Sequence, residues 1–224
     1  MSGKRSGPEN ANSGEEEEKP ATGYDRNVDY LEMKNKLILE YDQLRVKHKK
    51  EKETKPKDNL LRKLVYCTVA MIQLRNGSRI SEACEALHKF GRPEADLEIP
   101  VTVKIAKSKS VKYERGTHRK YVTKTRFRKI LFPGAWVPEL MDMSLIREFL
   151  NTYTGDLKRR TCDYLLRGFD CNTHSLRYAC INYLLYDQKK EMAIVAKFVG
   201  HTGIAQLVRY TQLKESDKIF DLDI

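Results

Sequence analysis

The sequence has no apolar run of the roughly 18 residues that a membrane-spanning helix needs, so no transmembrane segment is expected. Its opening stretch, MSGKRSGPENANSGEEEEKP, has no apolar h-region, and no secretory signal is expected. No CxxC pair occurs among the five cysteines, Cys67, Cys84, Cys162, Cys171 and Cys180. An odd count without paired spacing argues against a disulfide framework and for reduced thiols in a cytosol-like compartment. Cys171 with His174, and Cys84 with His88, lack the second ligand pair that a zinc site requires, so no metal is expected. No internal repeat is visible. Residues 1–25 carry almost no large apolar side chain, cannot bury enough surface to offset the entropy of ordering, and read as a disordered tail.

Acidic residues are the other scarcity, in one place. The 224 residues hold 42 Lys+Arg against 31 Asp+Glu, a net charge of +11. Residues 101–130 contain eleven Lys or Arg and a single acidic residue, Glu114, so almost the whole excess sits in one stretch. A local field of that size favours a polyanionic partner, and nucleic acid is expected. With 40% hydrophobic residues the rest of the chain has ample material for one globular core.

Periodicity places the elements. Tyr30, Leu37, Tyr41 and Leu44, with Ile38 beside them, give residues 27–55 a narrow apolar stripe on a polar helix that ends before Pro56. That helix either docks on its own domain or meets DNA; joining protomers as a short coiled coil is the less favoured reading, because two heptads are too few. Asp58 is a candidate N-cap for a helix through Leu64, Val65, Met71 and Leu74, closed by Asn76-Gly77. Ser78 is a candidate cap for the next helix, which runs to Gly91. Residues 97–105 alternate and read as a strand, residues 120–125 as a second, together a basic hairpin or small three-stranded sheet. Helices follow near 143–153, 156–166, 174–186, 190–199 and 204–212. The fold class expected is mainly α-helical α+β with one small basic antiparallel sheet. The organisation expected is a tail (1–25), a basic helical extension (26–57) and a catalytic domain (58–224). Trp136 reads as a core plug.

The C-terminal third holds polar residues that packing alone does not demand. His174 and Arg177 share a helix face at i and i+3. His201 follows Gly200 at a helix end, Tyr210 lies near the C-terminus, and Arg79 opens a helix far upstream. Arginines gathered at helix N-termini make an anion site.

The order Arg79-Ile-Ser-Glu, His174-x-x-Arg177, Gly200-His201 and Tyr210 resembles the catalytic domain of the tyrosine recombinases, the phage-integrase or Xer-like family. The nine residues from His201 to Tyr210 and the 24 from Arg177 to His201 match the family's usual separations. The resemblance covers about residues 58–213. It implies a metal-free, ATP-free DNA strand breakage and joining. Arg79 and Arg177 would clamp the phosphate, and Tyr210 would attack to leave a 3′-phosphotyrosine and a free 5′-hydroxyl. His174 and His201 would orient the phosphate and move protons, and a hairpin lysine would protonate the leaving oxygen. Of Lys104, Lys107, Lys109 and Lys112, Lys107 is the first choice because it ends the alternating strand, where the family's lysine precedes the tight turn. Lys104, Lys109, Lys112, Arg115, Arg119 and Lys120 would meet DNA phosphates.

The resemblance thus implies a site-specific recombinase or integrase acting on double-stranded DNA, with no cofactor, as a homo-oligomer on DNA and in the compartment that holds it, cytoplasm or nucleoid. Two rivals stand beside it: a type IB topoisomerase-like relaxing enzyme, and a truncated relative that only binds DNA. In one respect the chain departs from the family. Members usually carry an N-terminal core-binding domain of several helices, whereas here only about 55 residues precede the catalytic domain.

Overall fold

The computed structural model describes residues 28–105, 125–201, 204 and 207, and the backbone alone of 110–113 and 119–122. The expected tail at 1–25 lies outside the described residues, as does all but Ile204 and Leu207 of the helix expected at 204–212.

Pro56 does not end a helix; it sits in the first turn of one. Helix α1 (Tyr30–Lys50) stops at Glu51, and α2 (Thr54–Asn76) begins five residues earlier than the Asp58 cap would have it. In the first turn the N–H that proline lacks has no intrahelical partner to lose, so Pro56 is accommodated. The N-cap position is Glu53, without a side-chain bond. Helix α1 starts properly capped, the Asp29 carboxylate accepting from the Glu32 amide at 2.8 Å.

Helix α2 is the centre of the molecule. Leu64 through Leu74 is buried without a break, as a helix must be when neighbours surround it. The α1 stripe of Met33, Leu37, Tyr41 and Leu44 packs into the same core, so α1 docks on its own chain. Tyr30 stacks on Tyr183, with ring centroids 4.2 Å apart, and meets Trp136 edge-on at 6.2 Å. Trp136 is thus a partly buried seal between α1 and the core, with the Lys34 ammonium 5.3 Å from its ring centre.

Helix α3 (Ile80–Phe90) follows after Gly77, whose left-handed backbone (φ 52°) closes α2. Ser78 is not the cap of α3. Its N–H reaches back to the Gln73 carbonyl at 3.2 Å, and Arg79 takes the N-cap position.

The basic segment forms two two-stranded antiparallel ladders. β1 (Val101–Lys104) pairs with β4 (Phe127–Ile130), and β2 (Ser110–Tyr113) with β3 (Arg119–Val122). The strand expected from residue 97 starts only after Pro100, which has no N–H for a ladder; residues 96–99 make a turn instead.

Two short 3₁₀ turns (Pro133–Ala135, Pro138–Met141) lead to α4 (Ser144–Thr152), α5 (Leu157–Phe169) and α6 (Thr173–Asn182). The end of the helix expected to reach 186 loosens into a π-type turn at Tyr183–Asp187 before α7 (Met192–Phe198). The fold is mainly α-helical α+β. Among the described residues no helix is long and apolar enough to cross a membrane. None of the five cysteines forms a disulfide.

Candidate active site

The site forms where α2 ends. A helix C-terminus presents carbonyls with no partner inside the helix and carries partial negative charge. Two successive carbonyls there are taken by guanidiniums from distant parts of the chain. Arg128 Nη2 of β4 donates to the Asn76 carbonyl at 2.6 Å, and Arg177 Nη1 of α6 donates to the Gly77 carbonyl. Arg177 Nη2 also donates to the Val199 carbonyl at 2.8 Å. Arg177 is 2% exposed, the largest sealed side chain among the described residues. Its fork is therefore oriented by backbone rather than swinging free in solvent.

Arg79 is held at the start of α3 by Glu82. Its backbone N–H donates to Glu82 Oε2 at 3.2 Å, and its Nη1 donates to Oε1 at 3.1 Å. Arg128 Nη1 shares the same carboxylate, 3.4 Å from Oε2. Glu82 is 1% exposed. A carboxylate buried that deeply is tolerated only because cations surround it. Arg79 is the more open of the two arginines on Glu82, with 23% of its side chain exposed against 4% for Arg128.

His201 follows Gly200, whose positive φ of 74° turns the chain out of α7. Its backbone N–H donates to the Ala196 carbonyl at 2.8 Å. Burial, reinforced by Arg177, Arg79 and Arg128, pushes the imidazole pKa down to about 3. At neutral pH His201 is therefore an uncharged hydrogen-bonding group. His174 is exposed at the second position of α6, one turn before Arg177. The α6 start is fixed by the Asn172 side chain, which accepts from the Ser175 amide at 3.0 Å, and by Gln73, whose Nε2 donates to the Thr173 carbonyl at 2.6 Å.

Arg79, Arg177 and His201, separated by up to 122 residues in sequence, thus come to one corner. Lys104 is exposed on β1, and its backbone N–H donates to the Glu85 carboxylate at 3.2 Å. Lys107, Lys109, Arg115 and Tyr210 lie outside the described residues; Lys112 on β2 and Arg119 and Lys120 on β3 are placed by backbone only. Among the described residues no group of His, Cys, Asp and Glu is arranged to hold a metal.

No family model matches the chain. A protein named "putative integrase V10" of Sputnik virophage is 41% identical over 215 residues, covering 91% of this chain and 92% of the relative. The chain belongs to the tyrosine recombinase (integrase) family. An integrase-named protein of Acidianus two-tailed virus is 27% identical over 194 residues, 86% of this chain and 66% of that one. An uncharacterized protein of Methanocaldococcus jannaschii is 26% identical over 220 residues, 89% of this chain and 90% of that one. Among solved structures, the XerH site-specific recombinase bound to difH substrate in a pre-cleavage complex superposes with a TM-score of 0.42 at 16% identity; 86% of this chain matches, spanning 52% of that one.

Sequence reading missed one member of this site. Arg128 looked like one more cation in the basic run. A signal was available: on β4 Phe127 and Lys129 are exposed while Arg128 and Ile130 are buried, the two-residue alternation that puts Arg128 inward beside Ile130. The other oversight is Asn76, taken only as part of a helix stop. Its amide donates to the Leu131 carbonyl at 2.9 Å and accepts from the Leu131 N–H at 2.9 Å, stitching β4 to the helix end.

Proposed function

We propose that this chain is a site-specific DNA recombinase that cuts and rejoins double-stranded DNA through Tyr210, working as a homo-oligomer assembled on its DNA site. Residues 58–224 make up the catalytic unit, with α1 as its docked brace. The observation that supports this most directly is the gathering of Arg79, Arg177 and His201 at one corner, beside a sheet from the most basic stretch of the chain.

The chemistry follows from the residue types. The Tyr210 oxygen attacks the phosphorus, a P–O bond to tyrosine forms, and the P–O5′ bond breaks. A phenol with a reference pKa near 10 needs a cationic setting to give up its proton near neutrality. Arg79 and Arg177 stabilise the charge that builds on the non-bridging oxygens; the guanidinium stays protonated and its fork matches a phosphate. The two carbonyls on Arg177 fix its orientation before substrate arrives, so little ordering remains for the transition state. His201, uncharged near neutrality, serves as a hydrogen-bond donor to a phosphate oxygen, and His174 flanks it. Lys107 gives a proton to the leaving 5′-oxygen. Rejoining runs the steps backward: a 5′-hydroxyl attacks the phosphotyrosine and the proton returns to tyrosine. One phosphodiester is exchanged for another, so neither ATP nor metal enters the balance. Lys104, Lys109, Lys112, Arg115, Arg119 and Lys120 hold the phosphate backbone without reading bases.

A nicked suicide substrate tests the reading. Wild type should form a covalent protein–DNA adduct in EDTA without ATP, and Tyr210→Phe should form none. Absence of adduct with wild type, or an adduct that persists in Tyr210→Phe, overturns it. Relaxation of supercoils by a monomer with no recombinant product would replace it with the topoisomerase-like activity.

A further inference from the structure

We infer that Arg128 is a positioning residue of this site: bridging the Asn76 carbonyl and Glu82, it sets the pose and the effective charge of both Arg79 and Arg177. The inference rests on the recombinase reading for its catalytic consequence, but its geometry is independent of it.

Arg128 meets four separate elements of the site. Its Nη2 caps the Asn76 carbonyl at the end of α2, and its Nη1 pairs with Glu82 on α3. Its guanidinium carbon lies 5.5 Å from the Phe198 ring centre on α7. Its stem passes so close to Gly200 that a Cβ there would stand 3.3 Å from Arg128 Cδ. This is more than a β-strand residue needs in order to pack.

The carbonyls of Asn76 and Gly77 belong to successive peptide units. By holding the first, Arg128 fixes the plane from which the second faces Arg177. Its effect on Arg79 is electrostatic. Glu82 is paired with both Arg79 and Arg128. With Arg128 present the carboxylate charge is divided between two guanidiniums, and Arg79 keeps positive potential for a phosphate. With Arg128 gone Arg79 would take a larger share of the Glu82 charge and would be drawn onto it. A buried apolar side chain of similar length would fill the space without doing either. Burial and the nearby Arg177 push the Arg128 pKa down to about 10 against the opposing pull of Glu82, so it remains a cation near neutrality.

The test compares wild type, Arg128→Met and Arg128→Lys. Circular dichroism and urea melting establish folding. Three quantities are then read: single-turnover adduct formation, equilibrium DNA affinity, and the pH titration of His201 by NMR, assigned with His201→Gln among the five histidines. The charged groups acting on His201 are Arg177 of α6, Arg79 at the start of α3 and Arg128 of β4. In Arg128→Met, adduct formation should fall about 100-fold while DNA affinity stays within about threefold, and Arg128→Lys should recover about tenfold of the loss. The His201 midpoint should move up in Arg128→Met as one cation is removed. A folded Arg128→Met that cleaves within about threefold of wild type with an unmoved His201 overturns the inference, as does a rate loss matched by an equal loss of DNA affinity. If Arg128→Met does not fold, Arg128→Lys decides: wild-type rate and an unmoved His201 overturn the inference, and a slower rate at kept affinity supports it. If wild type itself makes no adduct, the recombinase reading has failed, and the His201 titration alone decides on Arg128.

Discussion

Two cores of very different size support the site. Among the described residues, 31 buried side chains from α1 to α6 and the β1–β4 ladder form one continuous cluster. Only five, Ile181, Val195, Ala196, Val199 and Leu207, form the second. Arg79 and Arg177 stand on the large core, whereas His201 directly follows the α7 end that forms the small one. A handful of apolar contacts gives a segment little local stability. Among the contacts that tie the small core to the large one are the Arg177 bond to the Val199 carbonyl, the fit of Val199 against Gly77, and the Arg128 guanidinium against the Phe198 ring. On the proposed reading, phosphate binding rests on the stiffer of the two parts.

The largest effect should come from the large core. Phe90 is fully buried against Phe132, ring centroids 4.9 Å apart, and Phe90→Ala should cost about 3–5 kcal/mol in urea unfolding. The loss should be global; a change under about 1 kcal/mol would remove Phe90 from the core.

Acidification should act next, and on the small core. The folded His201 pKa, near 3, lies below its ordinary value of about 6.5. The folded state thus prefers the uncharged form, and its stability is fully present above pH 6.5. It is lost as pH falls from there toward 3, by up to about 1.4 kcal/mol per pH unit. His201→Gln should flatten that slope, and a slope identical to wild type would contradict the depressed pKa.

Gly77→Ala should follow. The φ of 52° costs a side chain about 1–2 kcal/mol, and the new Cβ would stand 2.9 Å from Val199 Cγ1. Both cores should feel it, since the residue lies on their boundary; melting temperature and α7 amide exchange should change together.

The smallest change is Ile181→Val, at about 0.5–1.5 kcal/mol. Amide exchange in α7 should speed up while that in α2 stays as in wild type. Equal acceleration in both would mean that the two cores open as one.

Much of the helical framework was legible in the sequence. Asn76-Gly77 marked the end of α2, and the α1 stripe marked the face that docks. Arg79, Arg177 and His201 were found because their order and spacing resemble a known family's, and linear order survives folding. Partnership does not. Nothing local says that Arg177 donates to a carbonyl 100 residues upstream, or that Arg128 reaches Glu82 across 46 residues. Pro56 misled for a physical reason: the same ring that ends a helix is harmless in its first turn. The strands came out shorter and more numerous than expected because β-branched composition marks extended chain but not where ladder bonds begin.

The two bonds of Arg177 also bear on the order in which the protein is made. They join residue 177 to residue 77 behind it and to residue 199 ahead of it. Contacts of such separation are entropically slow to close and form after local helices. A chain emerging from the ribosome has α2 and the basic hairpin long before it has either bond. Until residues 177–199 have been released, the helix end at Gly77 has no guanidinium from α6 and no α7 to brace. A half-made molecule therefore carries the basic stretch without the bonds that orient Arg177.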